Sequence, residues 1–256
     1  MRAPRPRYIK DFMLAALTRT IAQIGDPAFR GVLLRALGVS LAVFVLLWLG
    51  AWFGLGWLSG MLHAWVAGQE VGGFWRDLLT WLFDAAAIAG IILVSFLFFP
   101  AVVAIAISLF LDEIADAVEQ RHYPNLPAPR SQPWSEIAVD ILVFALVTIG
   151  VNLLALPLYL LLLFVPPLNL FVYYGLNGYL LGREYFEMVA VRRLDAPGAK
   201  RLRRRYRGRV FLAGIIIAFI LSIPLVNLIA PIVATGFLVH LFHGLKREAS
   251  TSPQPA

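Results

Sequence analysis

The chain has 256 residues, 60% of them hydrophobic and only 14% charged, with a net charge of +7 and no cysteine. Soluble globular domains carry about 25% charged residues, so a water-soluble enzyme, a disordered tail and a fibrous repeat are all excluded. Without cysteine there is no disulfide scaffold, thiolate metal site, iron–sulfur cluster or cysteine nucleophile.

The composition predicts an all-α integral membrane protein forming one membrane domain over residues 1–256. Residues 8–24 place Ile9, Phe12, Met13, Ala16, Leu17, Ile21 and Ile24 at helical spacing, which predicts an amphipathic helix lying in the membrane interface. Four stretches then lack Asp, Glu, Lys and Arg altogether: 36–69, 85–111, 141–182 and 210–245. A spanning helix needs roughly 20 apolar residues, so each is long enough to enter a bilayer. The first starts too deep in the chain, and is too long, for a cleavable signal peptide. Spanning helices are expected at 31–58 and 80–111.

Residues 112–136 read as a cytoplasmic elbow. Leu111, Ile114, Ala115 and Val118 alternate at helical spacing with Asp112, Glu113, Asp116 and Glu119, and the run from Tyr123 and Pro124 to Pro129 turns or extends the chain. Two helical hairpins, 137–182 and 210–245, are expected to follow. Their tips read Pro166-Pro167-Leu168-Asn169-Leu170 and Pro224-Leu225-Val226-Asn227-Leu228. Proline breaks a helix and asparagine satisfies freed backbone groups, so Pro166, Asn169, Pro224 and Asn227 read as a duplicated tip. The basic segment 183–209 is expected to be a cytoplasmic loop, and 248–256 a disordered tail.

The basic residues set the orientation. Of the 22 Lys and Arg, only Arg76 lies between the first two charge-free stretches. If that loop alone crosses, all the others stay on the cytoplasmic side, as the positive-inside bias requires. Both termini are then cytoplasmic, and each late stretch must return to the side it left. The last holds 36 residues, about 54 Å of helix at about 1.5 Å per residue, short of two crossings of about 30 Å each plus a turn. Both hairpins are therefore expected to be re-entrant.

No nucleotide-binding loop, nucleophile elbow or H-E-x-x-H motif occurs, so no enzyme, cofactor or metal site is expected. His240 and His243 share a helix face and read as packing or interfacial residues. Asp84 and Asp140 border apolar runs and are expected at headgroup level. Gly50-x-x-x-Gly54 and Gly178-x-x-x-Gly182 suit close helix approach. The basic run 200–209 adjoins an apolar arm, which favours anionic lipids over nucleic acid. Arg30, Arg35 and Arg121 are candidates for attracting an anion, because a guanidinium pairs in a fork with oxyanions.

The chain resembles the etoposide-induced 2.4 domain family, which includes CysZ-like sulfate permeases, from about Phe12 to Lys246. The marks are the segment from Leu109 through Asp112, Glu113 and Glu119 to Tyr123 and Pro124, then Pro167-Leu168-Asn169-Leu170, then Ile223 to Pro231. The resemblance implies a bacterial inner-membrane protein that forms a homo-oligomer, with two long spanning helices and membrane-penetrating hairpins. For the permease branch it implies sulfate uptake for cysteine synthesis. The expected function is a permease or channel-like path for a small anion, with sulfate as the anion the resemblance suggests. The alternative is a non-transporting scaffold that organises the envelope.

Overall fold

The structure is a computed structural model that describes residues 6–69, 72–224 and 226–251. It is all-helical over those residues. The helices are α1 (Pro6–Gln23), α2 (Pro27–Ala67), α3 (Gly73–Ser108), α4 (Leu111–His122), α5 (Trp134–Leu161), α6 (Pro166–Val191), α7 (Ala196–Arg205), α8 (Arg207–Leu221) and α9 (Ala230–Thr251). Short 3-10 turns at Leu162–Phe164 and Val226–Leu228 sit between the arms of the two hairpins. The chain divides into two compact units, residues 31–110 and the remainder.

The unit of residues 31–110 is built from α2 and α3. Both are longer than the charge-free windows suggested, because Arg30, Arg35, Arg76 and Asp77 sit inside helices rather than ending them. Among the described residues, three helices are long and apolar enough to cross a membrane: Pro27–Ala67, Gly73–Ser95 and Trp134–Phe164. The third is the first arm of a hairpin expected to be re-entrant. It holds 31 residues, about 46 Å of helix, because Pro157 is accommodated within it and does not end it. On α2 and α3 many large apolar side chains are exposed, among them Trp52, Phe53, Trp57, Trp65, Trp75 and Trp81, the surface a helix offers to lipid. Gly50 and Gly54 have nothing within 4 Å of where a Cβ would stand, so the expected close approach does not form there.

In the other unit α9 is the centre. Almost every residue from Ala230 to Leu245 is buried, packed by α1, α4, α6, α7 and α8. Its lack of charge reflects enclosure by protein, as a helix apolar on all sides requires. α1, expected as an amphipathic helix, turns one face to protein in the same way. Met13, Ala16, Thr20 and Gln23 form its buried stripe, and Gly236 and Gly244 of α9 leave room for Thr20 and Phe12. Ile21, expected on the apolar face, is instead 52% exposed.

α6 and α8 approach backbone to backbone. A Cβ at Gly178 would stand 2.6 Å from Ile215 Cγ1, and one at Gly214 would collide with the Gly178 carbonyl oxygen. Gly178-x-x-x-Gly182 is therefore a true approach motif, answered by Gly214.

The basic segment 183–209 is not a loop. α6 continues to Val191, and α7 starts at Ala196 after Asp195, whose side chain accepts a 3.0 Å hydrogen bond from the Gly198 amide as an N-cap. Residues 248–251 are helical rather than disordered, and 252–256 lie outside the described residues.

The two tips also differ. Pro166 is the first residue of α6, where its fixed φ suits helix initiation, and the Asn169 amide donates to Val165 at 3.3 Å. Pro224 instead lies before the 3-10 turn that contains Asn227, and α9 begins six residues later with Pro231 in its first turn. The shared P-x-x-N-L string thus occupies two different helix registers, because Pro231 takes the initiating role that Pro166 has in the first hairpin. Leu225 lies outside the described residues.

Candidate functional site: the elbow ion network and its basic cavity

The elbow gathers charges from three helices separated by long stretches of sequence. Glu119 lies on the buried face of α4 and is 3% exposed. It accepts hydrogen bonds from Arg193 Nη2 at 2.5 Å and Nε at 3.0 Å, and meets His243 Nε2 at 2.8 Å. Arg192 lies 3.7 Å from the same carboxylate, pairs with Asp112 at 2.5 Å, and also pairs with Asp116. Arg193 Nη1, the nitrogen left outside that fork, donates to the Pro127 carbonyl.

Burial works against the Glu119 charge. The hydrogen bonds from His243 and Arg193, with the positive charges of Arg193 and Arg192, outweigh it and hold the carboxyl down at about 2. A buried carboxylate so matched joins α4, α6 and α9 into one body. His240 is opposite in kind. Desolvation, then the charges of His122, Arg19 and His243, pushes it down to about 4, so its imidazole is neutral at neutral pH. Its Nδ1 meets the Tyr123 hydroxyl at 2.9 Å, and the Tyr123 ring stacks on His243 with centroids 4.2 Å apart.

After Pro124 the chain reverses at Asn125, whose φ of 76° is left-handed and suits asparagine better than most residues. The extended segment beyond is pinned by the Arg130 amide to the Arg192 carbonyl at 2.9 Å. Arg130 also forks onto Glu136 at 2.6 and 3.2 Å.

Beside this network lies a cavity of about 470 Å³. Arg19 of α1, Arg209 of α8 and Arg247 of α9 line it, with Phe12, Tyr123 and His243 among the walls. Arg209 forks onto Glu248 at 2.5 and 3.1 Å and stands over the Tyr206 ring at 5.2 Å.

The arginines singled out from the sequence are not those of this cavity. Arg121 is paired with Asp26. Arg35 donates to Gly31 and lies over the Phe110 ring. Arg30 is exposed in the first turn of α2. The elbow residues fare differently: Asp112, Glu119 and Tyr123 enter the network, Pro124 ends α4, and Glu113 stands exposed. At the tips, Asn169 turns its Oδ1 inward without a hydrogen-bond partner among the described residues.

Arg192, Arg193, Arg19, Arg209 and Arg247 were not legible as site residues. One signal was present for the network: Glu119 follows Leu111 and Ala115 at four-residue spacing, which puts it on the apolar face and calls for a buried cation. Asp84 also departs from expectation. It stands well inside α3, accepts a 2.7 Å hydrogen bond from Ser59 and lies 3.6 Å from His63 Nε2. The helix starts at Gly73, so Asp84 is within the Gly73–Ser95 span and not at its end.

Among the described residues no group of three or more His, Asp or Glu is arranged to hold a metal ion. The profile of a family described as sulfate transporter CysZ/etoposide-induced protein 2.4 matches residues 16–231. No curated protein matches the chain.

Proposed function

The chain belongs to the sulfate transporter CysZ/etoposide-induced protein 2.4 family, and from that premise we propose that it carries a small anion, sulfate, across the bacterial inner membrane without hydrolysing nucleotide. The observation that carries this reading is the family match running through all three helices of spanning length. Both termini are cytoplasmic in this reading, and copies of the chain associate as a homo-oligomer. Arg30 and Arg35, on the first turns of α2, attract the anion from the cytoplasmic side. Arg121 contributes less, because Asp26 neutralises it. Exposed Arg201, Arg204, Arg205 and Arg207 lie against anionic lipid headgroups.

Reconstitution tests it. Proteoliposomes holding the purified protein take up labelled sulfate faster than empty ones, and equal uptake would reject the reading. Arg30→Gln lowers uptake at limiting sulfate by about tenfold, the loss of one charge-assisted hydrogen bond of about 1.5 kcal/mol.

The hairpins divide in function as in length. With 31 residues from Trp134 to Phe164, the first reaches the far leaflet and returns. The second, whose α8 arm has 15 residues, dips from the cytoplasmic side without crossing. The absence of native cysteine makes single-cysteine labelling clean. Asn169→Cys reacts with an impermeant thiol reagent added outside, and Asn227→Cys does not; labelling of both, or of Asn227→Cys alone, overturns the assignment.

A second reading is favoured by the many large apolar side chains exposed on α2 and α3: a scaffold that organises the envelope and moves no solute. A deletion strain that grows normally on limiting sulfate but has a defective envelope would select it.

A further inference from the structure

The basic cavity is larger than a bare tetrahedral oxyanion needs, and its lining is of two kinds. Three guanidinium-bearing residues, Arg19, Arg209 and Arg247, come from three different helices. Phe12 and Tyr123 supply aromatic wall. Phe12 reaches this position because residue 244 is glycine; a Cβ there would collide with its ring. The one carboxylate in the lining, Glu248, forks onto Arg209. That pair shows what the site selects: a planar or tetrahedral oxyanion presenting two oxygens to a guanidinium held in place by the Tyr206 ring. Arg19 and Arg247 are exposed, with no acidic side chain within ion-pair distance among the described residues. They leave the cavity with a positive excess that Glu248 does not balance.

We propose that this cavity binds an organic phosphate, with its phosphate between Arg19 and Arg247 and in competition with Glu248 for Arg209, and its organic part against Phe12 and Tyr123. A soluble phosphate monoester and a phospholipid headgroup offer the same chemistry. A ligand so held ties α1 to α8 and α9 beside the Glu119 network, and therefore stabilises this unit by mass action. The site is independent of the sulfate reading, because it is measured by binding and not by flux.

The test uses the full-length protein in a zwitterionic detergent, with adenosine monophosphate as soluble probe, adenosine as the control without phosphate, and nanodiscs of phosphatidylglycerol or phosphatidylcholine for the lipid source. Adenosine monophosphate is expected to bind by calorimetry and to raise Tm, with adenosine inert. If only phosphatidylglycerol raises Tm above phosphatidylcholine, the headgroup is the source. In whichever arm binding appears, Arg19→Gln and Arg247→Gln each weaken it about tenfold, the worth of about 1.4 kcal/mol. Glu248→Gln strengthens it severalfold by freeing the Arg209 fork. Both arginines are exposed, so these variants keep the native helical signal, which circular dichroism verifies. No stabilisation in either arm, binding indifferent to the arginine substitutions, or weakening by Glu248→Gln overturns the proposal.

Discussion

Glu119→Ala is expected to destabilise the protein by about 3–5 kcal/mol, the usual cost of removing one partner from a buried ion pair. The reason is the company the carboxylate keeps. Arg193 is 6% exposed at its side chain and His243 8%, so neither reaches water when Glu119 is gone. Arg192 retains Asp112 and Asp116, which confines the loss to Arg193 and His243. Glu119→Gln keeps an acceptor but no charge and falls between the two. Thermal unfolding in detergent checks this; a variant within about 0.5 kcal/mol of the parent would mean that the network contributes nothing to the bundle.

The same groups set the response to acid. Glu119 titrates near 2 when folded, against 4.5 for the free side chain. Its stabilisation is therefore complete above about 4.5 and lost as pH falls towards 2. His240 is held neutral, with its folded value near 4 against 6.5. The unfolded chain binds that proton first, so stability declines as pH drops below about 6.5. Two successive losses follow, the upper one removed by His240→Gln and the lower one by Glu119→Gln. A stability profile flat from pH 7 to pH 4 would contradict the buried, neutral state of His240.

Gly214→Val is expected to have an effect as large. Its Cβ would collide with the Gly178 carbonyl oxygen and lie 2.6 Å from the Gly182 amide nitrogen, backbone atoms that no rotamer change can move. α6 and α8 must separate, at a cost above the roughly 1–3 kcal/mol typical of overpacking. Gly175→Ala, on the facing helix α6 with nothing within 4 Å of its Cβ position, is the control. It removes a poor helix former and is expected to be neutral or stabilising by up to about 1 kcal/mol. Equal Tm changes for the two substitutions would show that the close approach is not what holds this pair.

What could be read from the residues alone was local. Charge-free runs longer than a bilayer is thick must be helical, because lipid and protein interior alike leave backbone groups no other partner; α2, α3 and α5 follow from that. Membership of the family was legible too, in the Asp112–Pro124 elbow and the two proline–asparagine strings. The same strings misled on the tips, since helix register depends on which proline starts the helix and not on the spacing to an asparagine.

Whether an apolar run meets lipid or protein was decided only by tertiary structure. The run 210–245 looks like a membrane hairpin, but its second arm is α9, enclosed by α1, α4, α6, α7 and α8, and hydrophobicity has no sign that distinguishes the two surroundings. The charge network was equally hidden. Glu119, Arg193 and His243 meet across 74 and 124 positions of sequence, and no local pattern encodes a pairing that exists only once α4, α6 and α9 have packed. Residue chemistry determined that this chain would be helical and membrane-bound; packing determined which of its arginines are neutralised and which are left facing a cavity.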